Sequence, residues 1–440
     1  MTNIKVRFAP SPTGWMHIGN TRTALFNYLW TQKMGGKLLL RIDDTDKVRS
    51  EKEYEDGIRD ALTWLGIKWD EEARQSARFE RYDAVVAELK KAGRIYACYD
   101  TPEELEFKRK RLLSKGLPPI YDRQALNYTA EDIAKFEAEG RKPHYRFKLI
   151  DEEIMWDDVV RGVCKYDANK LSDPIIIRED GSYLYHLPSV IDDVDFEITH
   201  IVRGEDHVTN TAAQIQMFKA IGGNVPTFAH LPLLTGKEGK LSKRLGSLGV
   251  RELREDGIEA MAICSFLAKL GTSEAIEPFY SLDSLAATLD FGKIGRSQPK
   301  FDEEELKKFN TKLVHNMPYS ALTDTFGVSE VFWDDVKGNL ETAKDVTLWD
   351  SICNKEIMPV IEDAEFTALA ADLLPRGEFN AETFNAWMNE LKAKTGRKGK
   401  ELFHPIRMAL TAEANGPELK TLLPLIGYDK AYKRLKGEKA

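Results

Sequence analysis

Four cysteines, Cys98, Cys164, Cys264 and Cys353, are scattered through 440 residues with no close pair. That spacing excludes a disulfide framework and a CxxC metal site, so reduced thiols are expected. No segment approaches the roughly 18 consecutive apolar residues of a membrane span. The start, MTNIKVRFAP, lacks the basic region, apolar run and small-residue cleavage site of a secretory leader. A cytoplasmic location without membrane contact is the expectation. There is no internal repeat and no low-complexity linker, and 42% hydrophobic residues over this length suffice for several domain cores. Positive charge is not in excess either: 63 Lys and Arg against 71 Asp and Glu leave a net charge of −8. Phosphate binding rests on Lys and Arg, so the whole-chain balance counts against a nucleic-acid partner. Local clusters qualify that: residues 107–115, 236–244, 392–400 and 430–439 are basic, although each alone reads as a solvated face.

What is present starts with RFAPSPTGWMHIGN, residues 7–20, dense in proline and glycine directly before a helical pattern. IKVRFAP reads as a short strand, and Leu25, Tyr28 and Leu29 continue at helical spacing until Gly35 and Gly36. KLLLRI is a continuous apolar run, as in a buried parallel strand. Ser50 and Glu53 are expected to form a capping box before a helix carrying Ile58, Ala61, Leu62 and Leu65, closed at Gly66. Strand, helix, strand, helix favours a parallel sheet of the nucleotide-binding type. From about residue 81 the pattern breaks into an insertion. Strand signals return in DPIIIREDGSYLYHLP, with a tight hairpin at Asp180-Gly181, and continue through ITHIVRG. Beyond about residue 250 the periodic segments are helical, with apolar stripes such as Phe384, Trp387, Met388 and Leu391.

A strand, a glycine-containing loop and a helix N-terminus present free N–H groups and a positive dipole end, which suits phosphate. The loop fits neither GxxxxGK[ST] nor GxGxxG. Gly14 and Gly19 would let a base or phosphate approach the backbone. His17 could donate to phosphate oxygens as charge builds at phosphorus. The plain alternative is a capped turn. Far along the chain, GKLSKRLGS (239–247) puts Lys240, Lys243 and Arg244 on a glycine-flanked loop that could close on a polyphosphate. The two signals together are far more specific than either.

MHIGN resembles the HIGH signature, and KLSKR the KMSKS signature, of class I aminoacyl-tRNA synthetases. RFAPSPTG with RIDDTD, YLYHLPSVIDD, IVRGEDH and KLSKRLGS is similar to the bacterial glutamyl-tRNA synthetase family, and the likeness runs to HPIRMALTAEANGPEL. The resemblance implies a fold of α/β class: a Rossmann-like parallel-sheet catalytic domain (1–80 and 186–235), an α/β acceptor-end-binding insertion (81–185), a stem-contact region with the KLSKR loop (236–318) and a helical anticodon-binding region (319–440). It implies ligation of L-glutamate to tRNA(Glu) through a glutamyl-adenylate, with ATP and Mg²⁺, by a monomer.

By the same resemblance, His17, Lys240 and Lys243 are the catalytic residues, and Gly14, His17, Gly19, Asn20, Asp206, Leu234 and Lys243 hold ATP. Arg7, Ser11, Asp43, Tyr185 and Arg203 would bind glutamate, Arg203 taking the side-chain carboxylate and Asp43 the α-ammonium, while Asp192, Asp193 and Asp206 are weaker candidates. Some relatives hold zinc in the insertion; the matching positions here are Cys98, Asp100, Tyr121 and Arg123, and no zinc is expected. Trp349 and Arg397 are candidate anticodon contacts, Trp349 doubling as a core candidate. Asn339 stands near the place of a discriminating arginine, which leaves charging of tRNA(Gln) open. A truncated-type paralogue acting on a modified base and a catalytically dead tRNA-binding protein are the rival readings.

Overall fold

The computed structural model describes residues 4–236, 248–377 and 379–440. Contacts divide the chain into two compact units, Met1–Glu255 with Ile263–Asp302, and Asp256–Ala262 with Glu303–Ala440. The first is built on strand β1 (Lys5–Phe8), helix α1 (Ile18–Met34), β2 (Lys37–Ile42), α2 (Lys52–Trp64) and β3 (Glu71–Arg74). β1 runs parallel to β2, with Val6 opposite Leu38 and Phe8 opposite Leu40. Beyond Lys5 and Lys37 both strands are buried at every position, the guanidinium-bearing Arg7 and Arg41 included, because both faces are covered, and Val6, Leu39, Leu25, Phe26 and Leu29 are fully buried. Gly35 closes α1 in the left-handed region at φ 64°, where a side chain would be strained. The capping box at Ser50 does not form: Glu51 N donates to Pro12 O at 3.0 Å, which starts α2 at Lys52, and Ser50 Oγ is buried without a partner.

The insertion carries α3 (Phe79–Lys91), β4 (Ile95–Cys98), α4 (Pro102–Ser114), α5 (Ala130–Ala138), β5 (His144–Phe147) and, beyond a ribbon, β8 (Ile175–Ile177). β4, β5 and β8 form a small antiparallel sheet. The ribbon itself, β6 (Glu153–Asp158) and β7 (Gly162–Asp167), belongs elsewhere. With β9 (His200–Gly204) and β10 (Thr227–Leu231) it completes a seven-stranded sheet in the order β3-β2-β1-β9-β10-β6-β7. Residues 153–167 thus fall in the main sheet rather than in an insertion of 81–185. The hairpin at Asp180-Gly181 is present, with Gly181 at φ 83°, but the expected strand through YLYHLP gives way to helix α6 (His186–Asp195). Helix α7 (Val208–Ala220) then links β9 to β10.

Within the second unit the expected stripes become core. Phe384, Trp387, Met388 and Leu391 of the helix Ala381–Thr395 are all buried, and the Trp387 indole N–H donates to Ala370 O. Residues 263–302 pack with the first unit, so the expected boundary near 318 is not where contacts divide the chain.

Candidate active site

Strand order reverses at β1, which has β2 on one side and β9 on the other, and ligands of open parallel sheets bind beyond the carboxyl ends of strands at such a point. A cavity of about 410 Å³ opens there, between the ends of β1, β9 and β10 and the start of α1. Arg7, Ser11, His17, Gly19, Asn20, Tyr185, Arg203, Asp206 and Leu234 all line it. Ser11 Oγ donates to the Asp43 carbonyl at 2.7 Å, and Asp43 N to the Pro10 carbonyl, tying the proline-rich loop to the end of β2.

His17 is the N-cap of α1. Its Nδ1 accepts from the N–H groups of Gly19 and Asn20 at 3.1 and 3.3 Å. Gly19 leaves room for the ring, because a Cβ there would lie 3.1 Å from His17 Cε1. An Nδ1 that accepts carries no proton, so the neutral ring presents Nε2–H as a donor. Burial lowers the imidazole below its ordinary range, which favours that neutral form. On either side of His17 the backbone pairs with the chain just beyond the basic loop: Ile18 N donates to Leu248 O and Val250 N to Met16 O. Leu234, just before that loop, lines the cavity. Lys240 and Lys243 lie outside the described residues.

The cavity lining is rich in cations. Arg203, on β9 and 5% exposed, donates from NH1 to Tyr185 OH (3.0 Å), from NH2 to Thr211 Oγ1 (2.6 Å) and from Nε to His230 Nε2 (3.2 Å). All three acceptors are neutral, and among the described residues no carboxylate pairs with it. Burial pulls its pKa down. Arg7 gives its Nε to Asp193 at 3.2 Å while lining the cavity. Arg22, which the sequence reading missed, also lines it; its donors go to the carbonyls of Pro232, Leu267 and Leu270, and burial lowers it to about 10. Among the described residues, Arg203 and Arg22 are therefore buried guanidinium groups in the cavity lining with no carboxylate paired to them, an arrangement that favours anions.

Four expected contacts are placed differently. Asp43 does not line the cavity: Arg41 spans both its oxygens, from Nε at 2.7 Å and NH2 at 3.1 Å. Burial, reinforced by Asp192 and Asp193, pushes Asp43 up to about 6 despite that fork. Gly14 is absent from the lining, with open space about its Cα. Asp192 and Asp193 are buried anchors: Asp192 receives Gln75, Arg78 and Tyr82, and Asp193 receives Arg7 and Arg41.

In the insertion, Cys98 Sγ lies 2.9 Å from Asp100 Oδ2 and 3.1 Å from Tyr121 OH. Lys108 Nζ donates to Asp100 Oδ1 at 2.7 Å, and Arg123 turns away to Asp173. Burial, then the hydrogen bond to Asp100, raises the thiol. In the second unit Trp349 is 5% exposed and is core, while Arg397 pairs with Asp363 at 2.6 Å over the ring of Phe366. No helix among the described residues is long and apolar enough to cross a membrane.

Burial also lowers His144, His186 and His207, each to about 4, and depresses His200 and His230. An unfolded histidine titrates near 6.5, so between that value and about 4 the unfolded chain binds more protons than the folded one. Their contribution is full above pH 6.5 and is lost as pH falls toward 4. Asp43, raised to about 6, and Glu259, raised by burial to about 7, act in the opposite sense but are two groups against five histidines. Urea titrations should show stability falling by ~2 kcal/mol or more between about pH 7 and pH 5; an unchanged midpoint would contradict the neutral buried histidines.

Residues 3–308 match the family described as tRNA synthetases class I (E and Q), catalytic domain, and residues 359–438 match an anticodon binding domain. The chain is 54% identical over 443 residues to glutamate–tRNA ligase 1 of Maricaulis maris, covering 99% of this chain and 100% of that one. It is 51% identical over 446 residues to glutamate–tRNA ligase of Azospirillum brasilense, covering 100% of each. Among solved structures, a glutamate tRNA ligase from Elizabethkingia meningosepticum in complex with its amino acid superposes with a TM-score of 0.81 at 28% identity, over 98% of both chains.

Proposed function

Because the chain belongs to the class I glutamate–tRNA ligases and so charges tRNA with glutamate using ATP, we propose that Arg203 and Arg7 hold the amino acid while His17 and the KLSKR loop handle the triphosphate. The observation that carries this is Arg203, a buried cation surrounded only by neutral acceptors. A carboxylate entering the cavity completes it. An arginine fork meets a carboxylate in two parallel hydrogen bonds, and Tyr185 closes the pocket around the aliphatic part of the substrate. The glutamate α-carboxylate attacks the α-phosphorus of ATP, which travels with Mg²⁺, and pyrophosphate leaves. His17 Nε2–H donates to phosphate oxygens as charge grows, and the positive end of the α1 dipole adds to that field. Gly19, Asn20, Asp206 and Leu234 surround the nucleotide. Lys243, assisted by Lys240, neutralises the leaving group; the anchoring of Leu248 beside His17 supports that assignment. With Asp43 held by Arg41, the α-ammonium meets it only through an intervening water.

The insertion binds the acceptor end. A cavity of about 380 Å³ beside α4 supports this, with Lys108, Arg109, Arg111 and Lys115 for phosphate and Leu105 and Leu112 for a base. The helical second unit reads the anticodon, and the enzyme acts as a cytoplasmic monomer. ATP–pyrophosphate exchange with glutamate, with and without tRNA, tests the activity. Charging of purified tRNA(Glu) and tRNA(Gln) tests specificity, and a roughly thousandfold preference for tRNA(Glu) would refute the relaxed reading based on Asn339.

The insertion residues do not fit zinc. One raised thiol, one carboxylate already paired with Lys108 and a phenol cannot supply four ligands, and the Lys108 ammonium takes the place of a cation. Purified enzyme should contain well under one zinc per chain by elemental analysis, and EDTA should leave its melting temperature unchanged. Stoichiometric zinc would overturn this.

A further inference from the structure

Behind Arg203, away from the cavity, runs a buried line of hydrogen bonds from Asp158 through His230. Asp158 ends β6 and is 1% exposed; His230 lies on β10 and is fully buried. Asp158 Oδ1 accepts from the backbone N–H groups of Val160 (3.1 Å), Arg161 (3.0 Å) and His230 (3.2 Å). Its Oδ2 lies 2.5 Å from His230 Nδ1. His230 Nε2 faces Arg203 Nε at 3.2 Å and Thr211 Oγ1 at 3.0 Å. A guanidinium only donates, so Nε2 must carry the lone pair and the ring proton must sit on Nδ1, against Asp158. Neither residue lines the cavity.

We propose that Asp158 and His230 are positioning residues that fix the Arg203 guanidinium without neutralising it, so that the pocket takes the side-chain carboxylate of glutamate in preference to the amide of glutamine. This rests on the reading that Arg203 binds that carboxylate. A carboxylate placed directly against Arg203 would orient it equally well but would satisfy its charge, and an anionic substrate would gain little. The imidazole separates the two. It passes the orientation of Asp158 to Arg203 as a hydrogen bond and keeps the anion one ring away. Arg203 has five N–H groups, and three go to His230, Tyr185 and Thr211. One N–H on each terminal nitrogen remains, the number that a bidentate carboxylate accepts. An amide offers a single acceptor oxygen and would turn an N–H toward an N–H.

Burial and then the nearby Arg203 hold His230 neutral against the pull of Asp158. Burial also opposes ionisation of Asp158, but the hydrogen bonds from His230 and the backbone outweigh it and its net shift is downward. The ribbon β6–β7 thus has a second use besides extending the sheet. It brings a carboxylate to the rear of the pocket from 72 residues before His230.

The test uses full-length enzyme with tRNA, measuring kcat and KM for glutamate and for ATP, and mischarging with glutamine. Asp158→Asn and His230→Ala should each raise KM for glutamate roughly 10- to 100-fold, leave KM for ATP within about twofold and increase the relative use of glutamine. His230→Gln supplies an acceptor oxygen to Arg203 without depending on Asp158 for its tautomer, so it should recover to within several-fold of wild type. In the Asp158→Asn background, glutamine at 230 should outperform histidine, a reversal that loss of packing does not produce. Changes within twofold on glutamate, equal changes on both substrates, or His230→Gln no better than His230→Ala would overturn the proposal. Should Asp158→Asn fail to fold, the two His230 variants decide alone. Arg203→Ala belongs in the same series. If it leaves KM for glutamate unchanged, the assignment of Arg203 itself falls; if it raises KM while the others do not, only the positioning roles fall.

Discussion

Replacing Arg203 by alanine is expected to lower kcat/KM for glutamate by between roughly 30-fold and several thousand-fold. Removing one partner of a buried charged pair costs about 2–5 kcal/mol, and each 1.4 kcal/mol is a factor of ten. The loss should fall on glutamate, with KM for ATP near its original value, because the fork stands at the end of β9 while His17 stands at the start of α1. Arg203→Lys keeps the charge but gives a single point of contact and loses two of three fixed partners, so it should recover no more than about tenfold. Stability should move the other way. Without substrate, Arg203 is a desolvated cation with no carboxylate paired to it among the described residues, a costly arrangement that alanine relieves. The melting temperature of Arg203→Ala is therefore expected to stay level or rise. A lower melting temperature with unchanged kcat/KM would show instead that Arg203 serves the fold.

That contrast between local cost and function also separates what the sequence made legible from what it did not. The runs IKVRFAP and KLLLRI are strands for a local reason, burial on both faces, and the helix between them is bounded by a capped loop and a left-handed glycine. Arg7, His17, Tyr185 and Arg203 were named by motif and converge on one cavity because the motifs sit at strand ends and helix starts that the parallel sheet gathers together. Asp43 was assigned to the ligand but is claimed by Arg41 two residues before it, a competition that a motif does not reveal. The ribbon 153–167 looked like part of the insertion because chain order placed it there; only pairing with β10 shows otherwise. His230, Asp158 and Arg22 left no local signal. Each acts through partners distant in sequence, and FAHLPL or MWDDVV reads equally well as plain strand.

Replacing His17 by alanine is expected to lower the rate of adenylate formation by on the order of 10²- to 10³-fold, the range for removal of one donor at a developing charge. It should also cost ~1 kcal/mol of stability, since the ring nitrogen Nδ1 caps α1 by accepting from the N–H groups of Gly19 and Asn20. Asparagine separates the two effects. Its carbonyl is a good cap and should restore the melting temperature, but its amide does not reach where Nε2–H stands, so activity should remain at least about 30-fold down. Recovery of both together would assign His17 to the fold alone. Protonation of His17 would place a hydrogen on Nδ1, against two backbone donors, and burial already lowers its pKa. The rate should therefore hold constant from about pH 8 to below 6.5 and fall only beyond that. Lys243→Ala should cost about 10²-fold or more by the same reasoning. If both groups meet the same phosphates, the double variant should lose less than the product of the single losses; full multiplication would place them on separate events.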